Sequence, residues 1–173
     1  AAAGYKMDDI KASMATITDM SVASGEPLQN NADIIVNTLS QFQASADQAE
    51  RFADVLATGA NESTASVKDF GESYKYTGKI LNLTNHSIEE GSAALAVLAN
   101  NGIKGTMAGT SLNIIMKNLS KITPRGAAVL KKYGLTPEDI DPSTHSLEEL
   151  FATLNESGIQ NDMASMFALF GEG

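Results

Sequence analysis

The sequence predicts an all-α fold, a single domain over residues 1–173 built as an irregular array of short helical hairpins. Three observations carry this. Apolar residues recur at steps of three and four along most of the chain, Ser/Thr caps open successive periodic stretches, and glycines or prolines close them. The length suffices for one domain with its own core and does not require two.

The pattern is densest between Leu95 and Met116, where a helix stop, a tight turn and a helix start fall within a few residues, and the rest of the chain reads as organised around it. Ser87 and Glu90 have capping-box spacing, so a helix starts there. Ile88, Leu95 and Leu98 follow at helical spacing, and Asn100-Asn101-Gly102 tolerates the left-handed conformation that ends a helix. A second helix runs from about Thr106, with Ile115, Leu119 and Ile122 on one face and Lys117 and Lys121 on the other. The result is a hairpin over about 87–122.

In chain order, Met7, Ile10, Met14, Ile17 and Met20 predict an amphipathic helix from about Asp8, with Asp8 and Asp9 at its positive end. Its methionines read as core filling in preference to an adaptable partner-binding stripe. Ser24-Gly25-Glu26-Pro27 ends it, and a second helix bearing Ile34, Ile35, Leu39 and Phe42 completes a hairpin over about 8–42. Ser45 with Gln48 opens a third helix, whose Phe52, Val55 and Leu56 point inward and which stops near Thr58-Gly59. After the link Asn61 to Thr64, a Ser66/Asp69 cap opens a fourth helix with Val67, Phe70 and Tyr74, giving a hairpin over about 46–78. Tyr74 and Tyr76 are expected to pack with their hydroxyls reaching water.

Thr123 and Pro124 cap a helix over about 124–133 carrying Ala127, Leu130 and Tyr133, which stops at Gly134. Leu135 to His145, with Pro137 and Pro142, reads as an ordered loop. Ser146 and Glu149 cap a helix over about 147–157 with Leu147, Leu150, Phe151 and Leu154, and a last one over about 159–170 holds Ile159, Met163, Met166, Phe167 and Phe170. Glycines 25, 59, 102 and 158 mark a loose repeat, but their spacings of 34, 43 and 56 are too uneven for a regular solenoid.

With no cysteine, neither a disulfide framework nor a thiolate metal site is available. No signal segment opens the chain, and no apolar run approaches the roughly 18 residues of a membrane span. Ala1-Ala2-Ala3-Gly4-Tyr5 and Phe170 to Gly173 read as limits cut inside a longer protein. The net charge of −9 is unevenly spread: residues 1–90 hold 13 acids and 6 bases, 91–137 hold 6 bases and no acid, and 138–173 hold 8 acids and no base. The bland reading sets the basic segment beside the acidic one in the fold. The sharper one makes Lys104, Lys117, Lys121, Arg125, Lys131 and Lys132 a partner-contact stretch, including a head-to-tail contact between protomers. Nucleic-acid binding is not expected, because no aromatic interleaving or recognised module accompanies the bases.

No catalytic constellation emerges and no cofactor is expected. His86 and His145 lack the paired spacing of a metal site and read as surface or capping residues. Adjacent carboxylates such as Glu89-Glu90 diverge by about 100° around a helix and suit helix starts. No Gly-x-Ser-x-Gly elbow occurs. Gly102, Gly105 and Gly109 do not make a phosphate loop, which needs a preceding strand and a Gly-Lys-Ser/Thr end. Gly105 and Gly109 fit close helix packing better than a membrane dimer, given Lys104 and Lys117 nearby.

The run Asn101-Gly102-Ile103-Lys104-Gly105, followed by Ala108-Gly109-Thr110-Ser111-Leu112, resembles the signature turn of the phage tail tape-measure protein family. The resemblance extends from Tyr5 to Gly171 through Ala32-Asp33-Ile34-Ile35, Phe52 to Ala57, Ser66-Val67, Tyr74 to Gly78 and Phe170-Gly171. It implies a virion-tail protein, assembled in the host cytoplasm, whose partners are other tail proteins (tube subunits, assembly chaperones), to which the charge distribution adds a further copy of itself as a candidate. It also implies a structural role in tail assembly and length determination, and with no catalytic constellation in the sequence no enzymatic activity is expected. A ruler works through length, at about 1.5 Å per residue of continuous helix, whereas the stops here divide the chain into short pieces, as in a docking domain. The rivals are a helical interaction module of a cytoplasmic protein and a wall-degrading domain of a tail protein.

Overall fold

The computed structural model of the chain describes residues 7–171, without the side chains of residues 7–13 and Ala23. Its helices are α1 (Met7–Ser24), α2 (Leu28–Gln41), α3 (Ala49–Glu62), α4 (Val67–Leu83), α5 (Ile88–Asn100), α6 (Gly105–Ser120), α7 (Pro124–Lys132), α8 (Leu147–Ser157) and α9 (Met163–Phe170). Single 3₁₀ turns occur at Ala46–Gln48, Pro137–Ile140 and Ile159–Asn161, and there is no strand among the described residues. Local chemistry sets several of these starts. Ser66, Ser87 and Ser146 accept the N3 amide while Asp69, Glu90 and Glu149 reach back to the cap amide, and Thr123 caps α7 with Pro124 as its first residue.

From α1 to α6 consecutive helices touch, but the fuller contacts skip one: α1 with α3, α2 with α4, α3 with α5, and most extensively α4 with α6. The first six helices therefore form two interleaved rows. At the far end α9 pairs with α7 and lies on α6, while α8 lies on α5. Both rows are tied together by α4, which touches α2, α3, α5 and α6 and buries residues around much of its circumference, from Val67 and Phe70 to Thr77 and Leu81. The centre of the fold is thus α4, and not the α5–α6 turn that the sequence favours.

Glycines make this crowding possible. Phe70 sits on Gly59, Ile34 on Gly71, Gln41 on Gly78, and Leu81 with Tyr74 on Gly91. Gly59 and Gly78 are consequently helix-interior contacts, and both helices outrun the expected stops: α3 continues to Glu62 and α4 to Leu83. An interior glycine costs about 1 kcal/mol of helix propensity, and the close packing it admits outweighs that. The end of α4 is made instead by Asn85 at φ 61°, with the His86 amide donating to the Leu81 carbonyl at 2.9 Å.

Other expectations also shift. Ser45 donates to the Asp47 carboxylate and does not cap a helix; α3 begins after a 3₁₀ turn. Tyr74 is fully buried, its hydroxyl donating to the Ile88 carbonyl at 2.9 Å and meeting Ser92 Oγ at 2.7 Å, while Tyr76 is exposed. The Tyr74 ring packs edge-on to Phe42, which meets Phe52 likewise, both at 5.6 Å. On α1, Ile17 and Met20 are buried and Met14 is exposed; the Met7 and Ile10 side chains lie outside the described residues. On α6 the buried line runs through Ala108, Leu112, Met116 and Leu119, with Ile115 only partly covered.

The tightest point is Gly109, where an added Cβ would stand 2.2 Å from the Ser73 carbonyl oxygen. Gly109→Ala is expected to destabilise the fold by about 3 kcal/mol, the upper end of overpacking costs. Gly102→Ala, whose Cβ meets nothing but whose φ is +87°, should cost about 1 kcal/mol through left-handed strain alone. Urea denaturation of both measures the difference; equal losses would contradict a close α4–α6 crossing.

Candidate functional site

The turn between α5 and α6 divides its signature residues between two tasks. Gly102 takes a left-handed conformation, so that its amide reaches the Ala99 carbonyl and the Ile103 amide reaches the Leu98 carbonyl, both at 2.9 Å. Asn101, exposed, donates from its side chain to the Val97 carbonyl at 2.8 Å. Gly105 and Gly109 instead face inward onto α4. The Ser73 hydroxyl lies 2.8 Å from both the Asp69 and Gly105 carbonyls and shares its single proton between them. These four residues shape and seat the turn, and none presents a chemically reactive group.

The six bases of the basic stretch separate into three environments. Lys104 is partly buried and donates to the Thr64 carbonyl. Lys132 pairs with Asp162 at 2.8 Å and lies 5.1 Å over the Tyr133 ring. Asp162 caps α9 through the Ala164 and Ser165 amides and also accepts from Tyr133, so Lys132 first, then Ser165 and Tyr133, hold its carboxyl well below the usual carboxylate range. The remaining four, Lys117, Lys121, Arg125 and Lys131, are exposed and make no ion pair among the described residues. Internal matching with the acidic C-terminal segment is therefore confined to Lys132. Glu148 and Glu149 instead stand on α8, which packs against α5.

Between α5, α6 and α8 runs an open apolar groove of about 460 Å³, lined by Val97, Leu98, Ile115, Leu147 and Phe151 among others. Val97 is 63% exposed and Phe151 38%. Two carboxylates, Glu90 and Glu148, also line it. Glu90 joins the helices that form it: one oxygen accepts the Ser87 amide at 3.0 Å, and the other lies 3.3 Å from both the Leu147 amide and His86 Nδ1. Burial pushes its pKa up, but those hydrogen bonds outweigh burial and hold it below its ordinary 4.5. His86, expected at the surface or in a cap, is buried beside it.

A second apolar feature lies on α9, where Met163 is 69% and Phe167 46% exposed, one turn apart, while Ser165 and Leu169 are buried. The sequence marks the helices by Phe151, Met163 and Phe167 without assigning their faces, and Asp162 carries a cap signal that the sequence reading does not use. Met163–Phe170 is apolar nearly all round, so no periodicity selects its buried face. Among the described residues, no group of three or more His, Asp or Glu is placed to hold a metal, and no helix is long and apolar enough to cross a membrane.

A carboxylate with a depressed folded-state pKa stabilises the fold above its unfolded value and loses that contribution as pH falls through the depressed one. Glu89, Glu90, Asp139, Asp141, Glu149 and Asp162 all shift this way. Stability is expected to hold from neutral pH down to about 5 and to fall below about 4. Glu90→Ala should cost about 2 kcal/mol through the lost cap and the orphaned Leu147 amide. Glu90→Gln should flatten part of the acid-side fall in a series of melts against pH, and an unchanged pH profile would remove Glu90 from this role.

The chain aligns at 27% identity along its whole length with the tape measure protein of Pneumococcus phage Dp-1, covering 16% of that relative. It aligns at 28% over 99% of its length with a probable tape measure protein of Escherichia phage P2, covering 22% of it. The chain thus spans about a fifth or less of the length of these relatives. No solved structure matches it. The family model of phage-related minor tail proteins matches residues 1–171, and the chain belongs to that family.

Proposed function

We propose that the chain is a folded domain of a phage tail tape-measure protein, serving tail assembly and docking and not the measuring segment itself. The observation that carries this is the interlocked packing of short helices, the longest of which, among the described residues, has 18 residues. Stretched as one helix, 173 residues would reach about 260 Å; divided and folded around α4, they cannot act as a linear gauge. The names and lengths of the relatives support the rest of the reading, since most of each relative lies outside the aligned part. The domain belongs to the virion tail, is assembled in the host cytoplasm, and meets tube subunits or assembly chaperones through its exposed faces. No reaction is assigned to it: the carboxylates of Asp69, Glu90 and Glu149 are engaged in helix caps.

Electron microscopy of tails assembled with the full-length protein tests this. Deleting an extended helical segment elsewhere should shorten the tails by about 1.5 Å per residue removed. Gly109→Leu in this domain should reduce the number of completed tails without changing their length. Tails shortened by about 260 Å on removal of residues 1–173 would overturn the assignment.

A further inference from the structure

We propose that this domain binds a second copy of itself head to tail, the exposed α9 ridge of one copy entering the α5/α6/α8 groove of the next. This contact stands on the surface chemistry and does not depend on the tape-measure reading. Groove and ridge share no residue, so one molecule can offer both at once. Met163 and Phe167, four residues apart on one helix face, have the spacing of anchors that seat a helix in an apolar groove. An open apolar groove and an uncovered apolar ridge on one molecule each mark an interaction surface.

Charge selects the pairing. The groove lies between α5, α6 and α8; its two carboxylates, Glu90 and Glu148, stand on α5 and α8, whose sequences hold no lysine or arginine. Glu89 is paired with Arg51 at 2.6 Å and Glu90 with the Leu147 amide and His86, whereas Glu148 is exposed and unpaired among the described residues. The ridge is uncharged along α9, which packs on α6 and α7, the helices that carry Lys117, Arg125, Lys131 and Lys132. The Asn118 side chain, beside Lys117, donates to the Phe170 carbonyl at 2.7 Å, and Gly126, beside Arg125, faces Leu169. At the other end of α9, Lys132 holds Asp162, with Lys131 next to it. Groove against groove would oppose Glu148 to Glu148, and ridge against ridge would oppose the unpaired bases. Groove against ridge sets apolar surface on apolar surface and places Glu148 opposite bases, which makes the contact heterologous, free to propagate into a ring or filament.

Sedimentation analysis of the chain tests the proposal. Wild type should self-associate at about 0.05 M salt and dissociate toward monomer at about 0.5 M, as screening shortens. Val97→Glu in the groove and Phe167→Glu on the ridge, both at exposed positions, should each abolish association. Mixed in equal amounts, they should form a heterodimer and nothing larger, because only one intact groove then meets one intact ridge. Phe151→Glu mixed with Met163→Glu repeats the test with independent substitutions, and thermal melts establish that each variant is folded. A wild type that is monomeric at low salt up to about 1 mM would overturn the proposal and leave the groove to another protein. So would a mixture that stays monomeric, or single variants that associate like wild type.

Discussion

At the crossing of α4 and α6 the two backbones approach so closely that Gly109 admits no side chain against Ser73. Such an approach is possible only where one helix has no Cβ, and it brings the Ser73 hydroxyl within 2.8 Å of the Gly105 carbonyl at the start of α6. The crossing therefore fixes both the distance and the register of the two helices. Much of the remaining fold follows from it, because α6 carries α9 and, with α5, shapes the groove that α8 closes.

Around this crossing the interior is held by a few polar joints set into apolar packing. Tyr74 reaches from α4 to Ile88 and Ser92 on α5, and Glu90 reaches from α5 to the first residue of α8. Each joint satisfies groups that burial would otherwise leave costly, and Glu90 does so at two helix starts, accepting the Ser87 and Leu147 amides. The Asn31 Oδ1, Thr77 Oγ1 and His86 Nε2 atoms are buried without a partner, Asn31 on α2, Thr77 on α4 itself and His86 in the turn between α4 and α5.

The surface has a different logic from the interior. Acids stand on α5 and α8 beside the groove, with Glu89 paired to Arg51, and bases stand on α6 and α7, the helices that touch α9, where Lys132 alone makes an ion pair, with the α9 cap Asp162, among the described residues. A molecule that kept its charges for its own stability would pair more of them; separated fields of opposite sign act mainly on encounters with other molecules. That arrangement is consistent with an assembly domain.

The sequence by itself determined the helical class and many of the helix starts. Ser66, Ser87, Thr123 and Ser146 cap through atoms three residues away, and such short-range chemistry is written in local spacing. The family resemblance was likewise legible along nearly the whole chain. Only the tertiary structure decided that Gly59 and Gly78 are contacts and not stops, that α4 is the centre, and that Phe151 and Phe167 face outward. A glycine has the same local preferences whether it ends a helix or receives a neighbour, and an apolar helix has no face until another helix covers one side. Those choices depend on which elements meet, and no local pattern records that.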